Sequence, residues 1–330
     1  MNWTAQAKVE LHLHVEGAAP PELIRALAAE KSIDVRGAFD AEGGYAWTDF
    51  ASFLRTYDLA CTVLRTPEDF RRLMEAVLAK SAADGVIYTE LFLAPDLCGD
   101  GSARAWAEYL DAMIAGADAA RAAHGIEARF IPTAIRHFGA ERAEAAARLA
   151  AATAGRMVTG FGMGGEERFG RPADFARAFA IAGEAGLGLT VHAGEIRGPE
   201  SVREALDALP VTRIGHGVRA IEDLDLVRRL AGDGIVLEVC PGSNVALEVY
   251  PDLAAHPIAE LRAAGVAVTV STDDPPYFHT DMVSEYARLS EAFGWTEADF
   301  RDINLAAARA AFCDEPTRAA TIARLTKEAR

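Results

Sequence analysis

The sequence predicts an α/β fold: a (β/α)8 TIM barrel with an inserted helical lid after strand 1 and extra C-terminal helices. Three observations predict it. Short apolar or β-branched runs alternate with longer Ala-rich stretches along the chain. Eight such runs fall at 7–14, 85–93, 128–135, 157–162, 187–192, 213–215, 235–240 and 266–271, a span close to the roughly 250 residues of a closed barrel. Polar residues gather where these runs end. His12 and His14 end the first and His192 ends the fifth, while His216 follows the sixth and Asp273 and Asp274 follow the eighth. An open doubly wound sheet allows the same alternation, but its first, fifth and eighth strands would not meet. In a closed barrel their C-terminal ends ring one cavity.

Between the strands, helical patterns run over 21–30, 66–83, 103–124, 142–154, 172–185, 199–209, 224–231 and 258–264. Pro67 and Pro172 stand in first turns, where a missing N–H costs nothing. Gly186 and Gly265 stand just past helix ends. The insertion, about 31–65, carries Phe50, Phe53 and Leu54 on one apolar helix face. Such a face packs on the body or covers the barrel mouth. Residues 295–330 read as helix packed on the barrel. With no repeat, low-complexity segment or linker, 1–330 is expected to form a single barrel domain.

The chain has 330 residues, 33 basic against 49 acidic, and a net charge of -16. That balance speaks against nucleic-acid backbones and anionic membranes as partners. No apolar run is long enough to span a bilayer. Cys61, Cys98, Cys240 and Cys313 are scattered without a CxxC pair and read as reduced thiols. Residues 1–8 lack the apolar core of a secretion signal, so a cytoplasmic location is expected. No surface stripe is distinct enough to set an oligomeric state.

In a strand, residues i and i+2 share a face, so His12 and His14 can bind one ion together. His192 and Asp273 complete an N/O donor set suited to zinc or a similar ion. Adjacent carboxylates at Asp273 and Asp274, after an apolar run, repel each other unless a cation or donor answers them. No lysine lies between Lys80 and Lys327, so a second ion bridged by a modified mid-barrel lysine is not expected. A metal of this kind makes water acidic enough to yield hydroxide near neutral pH. Glu195 lies three residues past His192 and His216 stands between two glycines, so an acid and a base can flank that water. Alternatively, Glu195 orients a ligand histidine. His124 and His256 have no partner motif, His137 ends the third strand, and His279 follows the Asp-Asp-Pro-Pro loop.

Together, Glu10-Leu-His12-Leu-His14-Val-Glu16-Gly17, His192-Ala-Gly-Glu195, Gly215-His216-Gly217 and Ser271-Thr-Asp273-Asp274-Pro275 resemble the adenosine/adenine deaminase family of the amidohydrolase superfamily. The resemblance covers residues 8 to about 290 with the motifs in order. It implies a (β/α)8 barrel, one zinc ion per subunit held by His12, His14, His192 and Asp273, and hydrolysis of a purine 6-amino group. Glu195 resembles the acid that protonates N1, His216 the group that orients and deprotonates the water, and Asp274 the partner of N7. The small-molecule purine would lie against His14, Glu16, Gly165 and Asp274, under a lid of Phe50, Phe53 and Leu54. The Gly164-Gly165-Glu166-Glu167 turn resembles the nucleoside-type loop, so adenosine or deoxyadenosine is the expected substrate. Glu16 replaces the usual Asp, so free adenine or a 5′-modified adenosine such as aminodeoxyfutalosine is the alternative. Zinc cytidine deaminases, with cysteine ligands, are excluded because Cys240 stands alone.

Overall fold

The computed structural model describes residues 2–327. In chain order its elements are β1 (Lys8–His14), α1 (Pro21–Lys31), α2 (Phe50–Cys61), α3 (Pro67–Ala83), β2 (Val86–Leu93), α4 (Ala103–His124), β3 (Glu127–Ile135), α5 (Ala140–Ala152), β4 (Gly160–Gly164), α6 (Ala176–Glu184) and β5 (Gly188–Ala193). The second half continues with α7 (Pro199–Ala208), β6 (Arg213–His216), α8 (Leu224–Asp233), β7 (Val236–Val239), α9 (Pro241–Ala246), α10 (Ile258–Ala263), β8 (Ala267–Val270), α11 (Met282–Phe293), α12 (Glu297–Ala310) and α13 (Glu315–Lys327). The strands pair in parallel in the order β1-β2-β3-β4-β5-β6-β7-β8. This is the (β/α)8 barrel expected.

The barrel closes between β8 and β1 at the residues of greatest chemical interest. His14 N–H donates to Asp273 O at 3.0 Å, and Asp273 N–H donates to His12 O at 3.1 Å. Side chains extend the seam: the Ser271 hydroxyl accepts from Leu11 and His12 N–H, and Thr272 N–H and O–H donate to the buried Glu10 carboxyl. In β1, Glu10 to Leu13 faces only Thr89 to Leu91 of β2, so one extra residue bulges beside His12.

The outward faces of the strands and the inward faces of the helices form the main core, from Leu13, Phe130, Val191, Ile214, Leu237 and Val270 to Leu73, Trp106 and Leu230. The barrel interior mixes polar side chains with aromatic ones such as Tyr88 and Phe92, the latter against the rings of His12, His14 and His192. Glu90, Thr190, Arg213 and Glu238 are all buried there. The N-terminal end is plugged by Phe312, whose ring lies against the Arg213 guanidinium at 3.6 Å and fills the space left by Gly160 and Gly188.

Boundaries moved by a few residues. The fourth strand, expected at 157–162, runs Gly160–Gly164, because Met157 has a left-handed φ of 61° and Val158 forms only isolated bridges. The helical stretch expected at 295–330 is two helices, α12 and α13, and residues 328–330 lie outside the described residues. α9 and α11 were not anticipated. Among the described residues, no helix is long and apolar enough to cross a membrane.

Candidate active site

The C-terminal ends of β1, β5 and β8 bring His12, His14, His192 and Asp273 together, with one donor atom from each within 4.8 Å of the others. His14 Nε2 is 3.1 Å from His192 Nε2 and 3.3 Å from Asp273 Oδ1, and His12 Nε2 is 3.4 Å from the same oxygen. Donors 2.0–2.1 Å from one tetrahedral ion stand about 3.3 Å apart, so the four would fit zinc. The outer ring nitrogens support this. His12 Nδ1 lies 2.8 Å from Glu238 Oε2 and His192 Nδ1 lies 3.0 Å from Met163 O. Each Nδ1–H therefore donates outward and each Nε2 lone pair faces in. Two ring nitrogens at 3.1 Å need a proton or a cation between them. His12 Nε2 is buried without a hydrogen-bond partner among the described residues. Room for the imidazoles comes from glycine: a Cβ on Gly215 would lie 2.9 Å from His12 Cε1 and 3.2 Å from His192 Nδ1.

Glu195, His216, Asp274 and Glu16 face the same cavity, of about 100 Å³, together with His14, Gly165, Phe50, Phe53 and Leu54. All the expected site residues except the deeper His12 line it. His216, at the end of β6, is held at a left-handed φ of 59°, and its Nε2 is 3.7 Å from Glu195 Oε1. Burial drives its pKa down to about 3, so it is neutral. Burial, then the charge of Asp273, pushes the Glu195 and Asp274 carboxyls well above the usual carboxylate range. Burial also lifts Glu16 to about 7, even though Glu16 accepts a 3.0 Å hydrogen bond from Ala94 N–H. Asp274 packs where any side chain on Gly17 would collide with it. Gly165 has a φ of 91°, which favours glycine, and a Cβ there would meet His137 Nδ1 at 2.9 Å.

The insertion both packs on the body and lines the cavity. Asp49 caps α2 by accepting from Ser52 N–H, the Trp47 indole donates to Tyr277 O at 2.9 Å, and Tyr45 stacks on Tyr277 at 3.8 Å. Of the other histidines, His137 lines the cavity while His124 and His279 are exposed. His256, which has no partner motif in the sequence, finds its partner in the fold. It is buried, and its Nε2 bonds Asn244 Oδ1 at 3.1 Å.

Several supporting residues escaped the sequence. Glu238 holds His12, and the Ser243 hydroxyl donates to Asp273 Oδ2 at 2.8 Å. Glu167 fixes the loop carrying Glu195: one oxygen accepts from Gly194 N–H and Ser201 O–H, the other from Ile196 and Arg197 N–H, all at 2.5–2.7 Å. The available signal was a lone carboxylate in an otherwise apolar strand (Val236–Val239) and the second Glu of the Gly-Gly-Glu-Glu turn.

The family model for adenosine deaminase matches residues 7–328. Adenine deaminases of Rhizobium leguminosarum bv. trifolii and Agrobacterium fabrum are 52% and 50% identical over 318 residues, covering 96% of this chain and 98% and 97% of theirs. The crystal structure of an adenine deaminase from Arthrobacter aurescens superposes with a TM-score of 0.88 at 30% identity, covering 98% of this chain and 99% of that one. A zinc-bound amidohydrolase from Burkholderia ambifaria gives 0.84 at 27%, covering 99% and 91%. These names fit the free-base alternative better than the expected adenosine. In the Gly-Gly-Glu-Glu turn the second carboxylate, Glu167, serves the Glu195 loop, while the buried Glu16 lines the cavity. The chain belongs to the adenosine deaminase family and is a hydrolytic deaminase.

Proposed function

We propose that the chain hydrolyses free adenine to hypoxanthine and ammonia, with one zinc ion held by His12, His14, His192 and Asp273. The observation that carries the free-base reading is the wall formed by Glu16. The residue is 2% exposed, lines the cavity and has no counter-charge among the described residues. A free purine keeps a ring N–H where a nucleoside carries its sugar, and Glu16 can accept from it. The cavity of about 100 Å³ also falls below the roughly 300–1,000 Å³ of pockets for drug-sized ligands. The relatives named adenine deaminase support the same reading.

When bound, the zinc would supply a water acidic enough to ionise near neutral pH. The chain's own residues do the rest. Glu195, kept protonated by burial, donates to N1 and makes C6 electrophilic. Asp274, also protonated, has a buried oxygen without a partner and donates to N7. His216 orients the attacking oxygen. Oxygen bonds to C6 and its remaining proton passes to N6, so the C6–N6 bond breaks and the amine leaves as ammonia. N1 keeps the proton given by Glu195, and the other proton of the water restores Glu195. Phe50, Phe53 and Leu54 cover the ring and exclude water.

The test follows ammonia release by the zinc-loaded protein from adenine, adenosine, deoxyadenosine, methylthioadenosine and aminodeoxyfutalosine side by side. Adenine should exceed the others in kcat/KM by at least tenfold. Preference for a nucleoside would overturn the free-base reading, and no release from any of them would overturn the purine reading itself.

A further inference from the structure

Behind His216 lies a short hydrogen-bond chain that the reaction scheme does not use. α9 follows β7, and its one turn presents Asn244 to His216, with Asn244 Nδ2 3.3 Å from His216 Nδ1. On the other side Asn244 Oδ1 is 3.1 Å from His256 Nε2. His256 Nδ1 accepts from the backbone N–H of Ile258 at 3.2 Å. All three side chains are buried.

The backbone N–H fixes every proton in this chain. It can only donate, so His256 Nδ1 carries a lone pair. A neutral His256 then carries its proton on Nε2 and donates it to an oxygen, which orients the amide: Oδ1 toward His256, NH2 toward His216. The amide NH2 can only donate, so His216 Nδ1 carries a lone pair in turn. The proton of His216 is left on Nε2, the nitrogen that faces the cavity. That atom is buried and has no hydrogen-bond partner among the described residues.

We propose that Asn244 and His256 are positioning residues that hold His216 as the Nε2–H tautomer, aimed at the oxygen that attacks C6. His216 then meets that oxygen as a hydrogen-bond donor. The expectation that it also deprotonates the water is set aside, because Nε2 already holds a proton and Nδ1 is engaged by Asn244. The left-handed backbone at His216, with Gly217 also left-handed at φ 68°, turns the ring so that its two nitrogens face α9 and the cavity. The inference rests on the proposed role of His216 in orienting the attacking oxygen, but its first test needs no substrate.

The zinc-loaded full chain is labelled with ¹⁵N in histidine, and long-range ¹H–¹⁵N spectra are recorded near pH 7, with His216 assigned by its loss in His216→Gln. Expected are a protonated Nε2 and an unprotonated Nδ1 in both His216 and His256. A protonated Nδ1 on His216 overturns the proposal, whether or not adenine is the substrate. Asn244→Asp keeps the shape but offers only acceptors. It should move the His216 proton to Nδ1 and lower kcat by about 10²- to 10⁴-fold, the range for a misplaced or wrongly tautomeric catalytic group. KM and zinc content should stay within about threefold. An unchanged His216 pattern in this variant also overturns the proposal. His256→Gln, which can still donate to Asn244, should retain more activity than His256→Leu, and equal losses in the two would count against the relay.

Discussion

The cavity has two walls built on opposite principles. On the wall of His12, His14, His192 and Asp273, the outward atoms of His12, His192 and Asp273 are answered from within the chain. His12 leans on Glu238, which also takes Arg213 Nε at 2.6 Å and the Thr190 hydroxyl at 2.9 Å. Arg213 continues to Glu90 at 2.7 Å, and Glu90 accepts from the Tyr88 hydroxyl at 2.8 Å and from Phe312 N–H. Burial alone would raise Glu238, yet Arg213 and His12 hold it below the usual carboxylate range. On the wall of Glu16, Asp274 and Glu195, no Arg or Lys among the described residues is paired with the carboxyls, and burial keeps them protonated to unusually high pH. The contrast fits the proposed roles, one wall for a resident ion and the other for a passing substrate. The first needs fixed donors with their charges already balanced. The second needs protons and unsatisfied atoms that only the substrate completes.

Removing the most important proton on the substrate wall should give the largest effect. Glu195→Gln keeps the shape but loses the acid, and kcat should fall by about 10²- to 10⁴-fold. Zinc content, read by elemental analysis, should not change. Loss of zinc together with activity would mean that Glu195 belongs to the ion's wall, and the contrast would fail. Glu16→Gln tests the same wall through stability. Glu16 holds its proton up to about pH 7 when folded, against 4.5 as its ordinary value. The folded chain therefore binds the extra proton between those values, and rising pH favours unfolding. Its contribution is complete below 4.5 and lost as pH rises through 7. Gln has no proton to lose, so the variant should gain on the parent between pH 5 and pH 8, by at most about 3 kcal/mol. Chemical denaturation at the two pH values measures the gain, and parallel curves would show Glu16 ionised and paired.

The sequence marked the four residues that the fold brings together as the proposed ion site and left much of their support hidden. Two histidines at i and i+2, a histidine ending an apolar strand and a double aspartate after another are rare enough in buried runs to be read directly. Eight alternating strand and helix runs made the barrel legible for the same reason: periodicity is written locally. Glu238, Glu167 and Asn244 were not legible because each acts on a residue 27 to 226 positions away in the chain. A single Glu in Val236–Val239 carries no local mark that it will face His12 across the barrel. The bounds of β4 were missed because Gly160, Gly162 and Gly164 have little strand propensity of their own and pair through their neighbours. Glu16 and the Gly-Gly-Glu-Glu turn pointed to different substrates, and only the fold shows that Glu167 turns away to the Glu195 loop.

The smallest expected effect is the one that most sharpens the contrast. Glu238→Gln preserves size and leaves an oxygen for Arg213 and Thr190, so the deep network can keep its packing. What changes is the group facing His12 Nδ1, 2.8 Å away. A carboxylate there demands a proton on Nδ1 and so frees the Nε2 lone pair for the ion. An amide NH2 demands the reverse, a lone pair on Nδ1, and His12 must then present Nε2–H to the site or break the contact. Zinc affinity should fall by about 10- to 100-fold, the range for losing such an outer partner. That corresponds to about 1.4–2.7 kcal/mol. Competition against a chelator of known affinity reads the loss directly, without any turnover. At saturating zinc the KM for adenine should change little, because no atom of Glu238 lines the substrate cavity. A raised KM with zinc affinity intact would mean that the two walls are mechanically one.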